Sequence, residues 1–371
     1  MERRIRSPFA PRSTLFLRLR QIDGIALRTV IGLFIAALLV LMFSRLVNLG
    51  TVWIHLEHLD IRLALVCGAV FLMAYGVRAL RWRSFLIASG HATSVARVVM
   101  IYQVALFVNW LLPVRGGELV KSLLLRQLDS IPISESLPTV AMDKSLDLLP
   151  AVALLAILPF MPFQLSRPLW TLLLIVLLVL ACGATFLLVA ALRRDAALRL
   201  LRWGVARLPR ALQRIEPFLV RFVDMLLSLA VRPRLLLKTA LLTAVAVCLD
   251  ALFCLLAFAA VGTPVSFPLV LFGYTFFNLA FILPTPPGQI GSNELIGLLI
   301  FSGVLGVSRT GVAAMFIFSH PWTAILMAAS GVLCLSAMGL SMRSTLEFAR
   351  AKDNSTANLV TGEDPERLMP E

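Results

Sequence analysis

The sequence predicts an all-α, polytopic helical membrane protein with about six to eight transmembrane helices and two re-entrant hairpins. Apolar residues make up 59% of its 371 residues and the mean hydropathy is +0.91, which is too high for a soluble domain. Its apolar runs reach about 20 residues, the length that crosses a bilayer, and they are continuous, unlike the alternating strands of a barrel. The runs lie near residues 29–47, 61–80, 137–161, 168–192, 235–261 and 306–341, the last long enough for two crossings.

The chain begins with a basic segment, residues 1–28, which precedes the first apolar run. Seven arginines lie in this segment, and eleven Arg or Lys residues lie between Arg193 and Lys238. The positive-inside rule places both basic regions in the cytoplasm. No small-residue cleavage site follows the first run, so we expect a retained helix and not a signal peptide. The expected location is a bacterial cytoplasmic (inner) membrane, with the N-terminus inside.

A first break, "NWLLPVRGGELVKSLLLRQ" from Asn109, interrupts the short apolar segment 98–112. The preceding run returns to the cytoplasm at a basic cluster, residues 78–83. If 98–112 crossed fully, the two runs that follow would deliver the arginine-rich region 193–238 to the outside. The number of crossings needed to keep both basic regions in the cytoplasm therefore predicts a helical hairpin that dips in from the cytoplasm and returns. Irregular backbone at membrane depth implies a polar cavity. The residues that break the helix are Pro113, Gly116 and Gly117.

A second break, "FNLAFILPTPPGQIGSNEL" from Phe277 to Leu295, has the same ingredients as the first. Each break runs from asparagine through proline and glycines to Glu-Leu, although the spacings differ. Matched interruptions in two halves predict an inverted repeat with a transporter-type site at its interface. The alternative is that prolines and glycines merely kink two unrelated helices. The breaking residues here are Pro284, Pro286, Pro287, Gly288 and Gly291.

Charged residues cluster around the first break. Arg115, Glu118 and Lys121 are spaced by three, on one side of a helix, and a second cluster follows at 143–147. A charge at membrane depth costs at least ~2.5–3.5 kcal/mol, so unpaired charges are disfavoured. We expect Glu118 and Asp147 to neutralise Arg115 and Lys144, leaving a net basic pocket for an anionic headgroup. The alternative is a mutually satisfied ion network without a ligand. The predicted substrate-binding residues are Asn109, Arg115, Glu118, Lys121, Asp143, Lys144, Asp147, Asn278 and Glu294.

The region 195–232 is amphipathic. Its apolar residues step by threes and fours, while Arg199, Arg202 and Arg207 fall off that stripe. Short helices lying on the anionic cytoplasmic leaflet fit this pattern, and so does a solvated connector that packs on its own helices. The predicted organisation is a basic segment 1–28, a membrane domain 29–341 made of a first half 29–192, a connector 193–234 and a second half 235–341, and a polar tail 342–371 of disordered composition.

The sequence gives no sign of a metal or cofactor site. The five cysteines lie in apolar runs without a CxxC pair, and the four histidines have no zinc-type ligand set around them. Phosphate-binding glycine motifs are absent from the sequence, so we expect no nucleotide-driven pump. An intramembrane enzyme would need Glu118 or Asp147 as general base, but no nucleophile–base pair accompanies them, so we expect no enzyme.

Three motifs resemble the flippase-like membrane domain that forms the N-terminal part of lysylphosphatidylglycerol synthases and also occurs as stand-alone proteins. They are "NWLLPVRGGELVKSLLL", "VAMDKSLDLL" and "LPTPPGQIGSNE", and the resemblance spans about residues 28–340. It implies a many-helix fold with re-entrant segments. The synthase members are thought to move aminoacylated phosphatidylglycerol between leaflets. The matching positions are Asn109, Pro113, Arg115, Gly117 and Glu118 in the first motif, Asp147 in the second, and Pro284, Pro287, Gly288, Gly291 and Glu294 in the third.

The chain departs from this family at two places. Asp143-Lys144 stands where Glu-Arg is more usual, and His320 lies where an arginine is common. Both departures weaken an inference about headgroup identity, because an ammonium does not reproduce bidentate phosphate recognition. After Met342 only about thirty polar residues remain, too few for an aminoacyl-transfer domain. We therefore expect a protein that does not itself make lysyl-lipid.

The leading hypothesis from the sequence is translocation of an anionic lipid, or of a polyprenyl-phosphate-linked intermediate, without ATP hydrolysis. The alternative is a non-transporting accessory protein for a lipid-modifying or glycosyl-transferring enzyme. The arginine-rich region 193–238 is the predicted contact with the anionic cytoplasmic leaflet.

Overall fold

The computed structural model describes residues 34–111, 116–157, 167–209, 213–280 and 286–340. Within these ranges the chain is helical and contains no strand, which confirms the predicted fold class at that level. The helices are α1 (Phe34–Leu46), α2 (Leu49–Glu57), α3 (Ile61–Ala88), α4 (Val95–Leu111), α5 (Gly117–Asp129), α6 (Ile133–Leu146), α7 (Leu149–Ile157), α8 (Arg167–Leu192), α9 (Arg194–Val205), α10 (Glu216–Ala230), α11 (Pro233–Ala260), α12 (Phe267–Ala280), α13 (Ser292–Gly297) and α14 (Arg309–Ala337).

Three of the described helices, α3, α11 and α14, are long and apolar enough to cross a membrane. Two bent pairs, α1 with α2 and the end of α8 with α9, raise the number to five if each pair forms one span. Their bends are 87° and 102°. The predicted count of six to eight therefore stays a prediction. The run 306–341 forms one helix and not two, because α14 continues for 29 residues through Pro321.

Local signals explain where the long helices begin. The Asp60 side chain accepts hydrogen bonds from the backbone N–H groups of Arg62 and Leu63, which caps the start of α3. Ser308 caps α14 in the same way, and a proline occupies the first turn of α11, where it costs no helical hydrogen bond. The central pair is α3 against α11, and α14 packs on α4 beside it.

The first break forms an antiparallel helical hairpin of α4 and α5. Arg97 near the start of α4 pairs with Asp129 at the end of α5, while Asn109 near the end of α4 bonds Gly117 at the start of α5. The hairpin is tight because a Cβ atom on Gly117 would lie 2.1 Å from the Ala105 carbonyl oxygen. Glycine is therefore required by this close approach.

The second break joins α12 to α13 and to a π-helical turn, Leu298–Val304. Gly273 of α12 lies against Phe301 and Leu305, so the chain folds back on itself here too. A short 3₁₀ turn, Pro287–Gln289, occupies the break, with Gly288 at φ +64° and Gly291 at φ +78°. Both breaks thus contain short helices that fold back, while the inverted repeat itself stays a prediction.

The amphipathic region forms two short helices, α9 and α10, as its pattern predicted. Helix α10 packs against α6 and α8 and buries Leu227 and Leu229, so this part packs on the protein's own helices. Helix α9 instead leaves Leu200 and Trp203 exposed beside its arginines. Contact with a lipid surface therefore stays a prediction. The exposed apolar side chains that favour such contact lie on α9.

Candidate functional site

A cavity of about 440 Å³ lies between the two hairpins. The first hairpin contributes Asn109, Trp110, Glu118 and Lys121 to its wall. The second contributes Tyr274, Asn278, Gln289 and Asn293, and the long helices α3, α11 and α14 close the remaining sides. The two breaks, which are far apart in sequence, therefore border one space.

Arg81 is the centre of a buried ion cluster in the wall of this cavity and behind it. Its guanidinium is 1% exposed and donates to Asp143 at 2.7 Å, to Asp147 at 2.7 Å and to the Thr243 hydroxyl at 3.0 Å. Because the planar guanidinium has five N–H donors, one side chain can hold two carboxylates and a hydroxyl together. Arg81 thereby ties α3 to α6 and α11.

Lys121 extends the cluster into the first hairpin. Its ammonium lies 2.9 Å from Glu118 and 3.6 Å from Asp143, and it sits 3.8 Å from the centre of the Tyr102 ring. The side chain is 2% exposed. Two carboxylates and an aromatic face are the kind of surroundings that a buried ammonium needs.

Lys144 is the most exposed member of the cluster, with half of its side chain exposed. It lies 2.9 Å from Asp147 and 3.8 Å from Glu118, and it lines the cavity. The expected pairing of Asp147 with Lys144 is therefore present. Glu118 pairs with Lys121 and Lys144, and Asn109 approaches its carboxylate at 3.4 Å. We call Arg81, Lys121, Lys144, Glu118, Asp143 and Asp147 the Arg81 cluster.

A separate ion pair joins α3 to α11. The Arg78 guanidinium donates two hydrogen bonds to the Asp250 carboxylate, and Tyr75 packs beside the guanidinium. Both charged side chains line the cavity. The pair connects the two central helices at the cavity wall.

Among its described residues, the second break has one ion pair, His320 with Glu294. Nδ1 of His320 lies 2.5 Å from the Glu294 carboxylate, and Nε2 lies 2.8 Å from the Gly288 carbonyl oxygen. These contacts join α14 to both the 3₁₀ turn and α13. The two side chains are 10% and 13% exposed.

Two polar atoms of the cavity wall have neither a hydrogen-bond partner nor an ion-pair partner among the described residues. They are the indole N–H of Trp110 and the side-chain oxygen of Asn293, both buried. Buried polar groups normally have a partner, so this donor and this acceptor are available to a polar ligand. In the part of the chain that the structure describes, no group of three His, Cys, Asp or Glu side chains could hold a metal ion.

Most of the predicted site residues come together at this cavity. Asn109, Glu118, Lys121, Lys144, Asp147 and Asn278 line it. Asp143 lies behind the wall on Arg81, and Glu294 reaches it through His320. Gly116 and Gly117 begin α5, while Pro286, Pro287, Gly288 and Gly291 form the second break. Pro113, Arg115 and Pro284 lie outside the described residues.

The expected net basic pocket is not seen among the described residues, and it stays a prediction because Arg115 lies outside them. Around the cavity and the cluster behind it, the described side chains carry four cations against five carboxylates, and His320 changes that balance by one at most. The cations are Arg78, Arg81, Lys121 and Lys144, and the carboxylates are Glu118, Asp143, Asp147, Asp250 and Glu294. Arg78 and Asp250, which the sequence alone does not assign to the site, add one charge of each sign and leave this balance unchanged.

Sequence reasoning missed Arg78, Arg81 and Asp250 as site residues. The two arginines were assigned to a cytoplasmic basic cluster at the end of a span, but α3 continues past them to Ala88 and they are internal. Asp250 is the only acidic residue in the 28-residue helix α11. An ionisable residue inside an apolar run indicates a functional site. The sequence shows this signal for the two arginines in α3 and for Asp250 in α11.

These features define a helical membrane protein with an ion-lined cavity between two broken hairpins. The chain belongs to the family described as the lysylphosphatidylglycerol synthase TM region, whose model matches residues 29–340. It is also similar to a UPF0104 membrane protein of Methanothermobacter thermautotrophicus, at 25% identity over 304 residues, which cover 75% of this chain and 85% of the relative. No solved structure matches the chain.

Proposed function

We propose that this protein moves the headgroup of a membrane lipid from one leaflet to the other through the cavity between the two hairpins. The observation that carries the proposal is that both breaks border one cavity lined by ion pairs. Interrupted helices at matching places in two halves are typical of transporter binding sites. The family's lipid-related name supports the same class of substrate.

The shape of the site suits a headgroup whose tails stay in the bilayer. A volume of about 440 Å³ lies within the usual range for small-molecule sites. The outer faces of the bundle are apolar, with Leu65, Leu178 and Leu237 each at least 60% exposed. Lipid tails can therefore remain against the protein while the headgroup passes inside.

An anionic headgroup, of a phospholipid or of a polyprenyl-phosphate-linked molecule, is the proposed substrate. Lys144 can exchange a partner for a phosphate, because half of its side chain is exposed and its two carboxylate partners have other cations nearby. The Trp110 N–H is a second donor. Arg115, which the sequence places at the tip of the first break, would add a third.

Reconstitution into liposomes tests the proposal. The purified protein should accelerate the leaflet exchange of fluorescent lipids, with anionic, zwitterionic and polyprenyl-phosphate probes compared in separate vesicles. No acceleration for any probe would favour the non-transporting accessory protein. Exchange of the zwitterionic probe alone would contradict an anionic substrate.

Two substitutions locate the activity. Glu118→Gln and Arg115→Ala should each abolish exchange while the protein still inserts and accumulates, because each alters a charge at the first break. The matched control is Glu57→Gln, at an exposed position where the amide can keep the hydrogen bond from Trp53. Full activity in both site variants would place the translocation pathway elsewhere.

A further inference from the structure

The contacts of His320 determine how many protons its imidazole and the Glu294 carboxylate bind together. A backbone carbonyl oxygen only accepts hydrogen bonds, so Nε2 of His320 must donate to Gly288. Nδ1 then faces the Glu294 carboxylate at 2.5 Å. Either Nδ1 carries a second proton and donates, or the carboxyl group is protonated and donates to Nδ1. In both forms the pair holds one proton more than a neutral imidazole beside a carboxylate.

Losing that proton breaks one of the two contacts. The proton passes from the pair to water in the cavity, which leaves a neutral imidazole with a single N–H group and an ionised carboxylate. One N–H group can serve the Gly288 carbonyl or Glu294, but not both, and it bonds Glu294, because an ionised carboxylate is the stronger acceptor. The remaining nitrogen would then direct its lone pair at an oxygen lone pair, and that contact must open.

The segment held by these contacts has a bent backbone. Gly288 is at φ +64°, and Gln289 is at φ +58°, a left-handed conformation that non-glycine residues seldom adopt. Such a conformation persists only where surrounding contacts hold it. The bond from His320 to the Gly288 carbonyl is one such contact, so its loss allows the break to relax.

Other charged groups that face this part of the cavity are already paired. Glu294 on α13 is the ionisable side chain in contact with His320. From α3 and α11 come Arg78 and Asp250, which bond each other, with Tyr75 beside them. Helix α4 contributes Tyr102, whose ring lies against the ammonium of Lys121 in the Arg81 cluster. No ionisable residue of α2 or of the π-helical turn lines the described cavity wall.

We propose that His320 and Glu294 form a proton-binding site that holds the second break against α14, and that release of the proton frees this break. Release of the proton also permits the lipid headgroup to pass, and this second part rests on the proposed lipid translocation. His320 lines the cavity, so protons can reach the pair from water there. Translocation is then linked to pH.

Direct measurement of His320 protonation tests the site without lipid transport. The chain has four histidines, so protein labelled with ¹⁵N-histidine in lipid nanodiscs gives few imidazole signals. The signal lost in His320→Arg identifies His320. We expect a titration step for it, with the Nε2–H signal present on the acidic side. A signal that does not change over the whole pH range in which the protein stays folded overturns the proton site.

Lipid exchange in liposomes tests the link to translocation. For a single site, the released fraction changes about tenfold per pH unit on the acidic side of the midpoint, so exchange should slow by that factor as pH falls. His320→Arg, which is permanently charged, should give slow exchange at every pH. His320→Gln, which is never charged, should also remove the pH step. Loss of the pH step in both variants would show that the pair acts by titrating. A pair with a structural role alone would leave the pH step in place.

A matched control exists in the same chain. His91 also faces a carboxylate, Glu135, at 3.1 Å, but neither residue lines the cavity. His91→Gln should keep the pH dependence of the unaltered protein. If exchange is fast but independent of pH, or if His91→Gln removes the step, the inference fails while the proposed translocation stands. If no lipid exchanges at any pH, the proposed translocation fails and the histidine titration alone decides the proton site.

Discussion

The two hairpin breaks are held in place by different means. At the first, Gly117 packs onto backbone, and the buried charged side chains of the Arg81 cluster connect α5 and α6 to α3. At the second, a turn with two left-handed glycines is joined to α14 by one histidine. The first break is therefore held by a network of charges, whereas the polar contacts between the second break and α14 are those of one titratable pair.

This difference indicates which side of the cavity can move. Opening the first break would separate several buried charges at once, and each unpaired buried charge is costly. Opening the second break requires the loss of one proton and of one of the two hydrogen bonds of His320. Conformational change at the cavity should therefore begin at the second break, with the first as its fixed support.

The largest expected effect is from removing the centre of the framework. Arg81→Gln removes the buried cation that Asp143 and Asp147 share, although Lys121 stays 3.6 Å from Asp143, and breaking a buried ion pair in this way costs about 3–5 kcal/mol. The measurement is the free energy of unfolding in mixed detergent micelles. Arg97→Gln is the control, because its side chain is 42% exposed and surface pairs contribute about 0–1 kcal/mol. Equal losses in the two variants would mean that the Arg81 cluster is not a framework.

The fold was predictable where local chemistry decides it. Apolar runs indicated helices, and Gly116, Gly117, Gly288 and Gly291 marked both breaks. The spacing of Glu118 and Lys121 by three also predicted an ion pair that the structure contains. These features depend on neighbouring residues, so their signals lie within a few positions of one another.

What could not be predicted depends on contacts between distant segments. Arg81 meets Asp143 and Thr243, which are 62 and 162 residues away along the chain, and periodicity gives no sign of such meetings. The pair of His320 and Glu294 is 26 residues apart and crosses a break. Pairings of this kind are determined by how α3, α6, α11 and α14 pack, and each helix pattern alone is compatible with other partners.

A second prediction concerns close packing at the first break. Gly117→Ala forces a methyl group against the Ala105 carbonyl oxygen and the Asn109 side chain, and overpacking of this kind costs about 1–3 kcal/mol. The same unfolding measurement checks it. Gly183→Ala is the control, since nothing lies within 4 Å of its Cβ position and alanine favours the helix. If Gly117→Ala leaves the free energy of unfolding unchanged, the first hairpin can loosen, and it is not the fixed side of the cavity.

At the second break, the cost of replacing Gly288 should be determined by its backbone conformation and not by the space around it. At Gly288 the nearest atom to an added Cβ is 3.5 Å away, so alanine fits, but the left-handed conformation costs about 1–2 kcal/mol. Asparagine tolerates this conformation better than alanine. Gly288→Ala should therefore destabilise the protein more than Gly288→Asn does, as measured by unfolding. The reverse order would indicate that packing, and not φ, governs the turn.

The smallest expected effect is at Lys144, the member of the Arg81 cluster that faces the cavity. Its side chain is half exposed, and after Lys144→Gln the carboxylates of Asp147 and Glu118 keep Arg81 and Lys121 as partners. The loss in unfolding free energy should therefore stay below about 1 kcal/mol. Lys121→Gln is the matched comparison, because its ammonium is buried between two carboxylates and an aromatic ring and its removal should cost several times more. Comparable losses would make Lys144 part of the fixed framework, and a cation that holds the first break together is not free to leave its carboxylates for a phosphate.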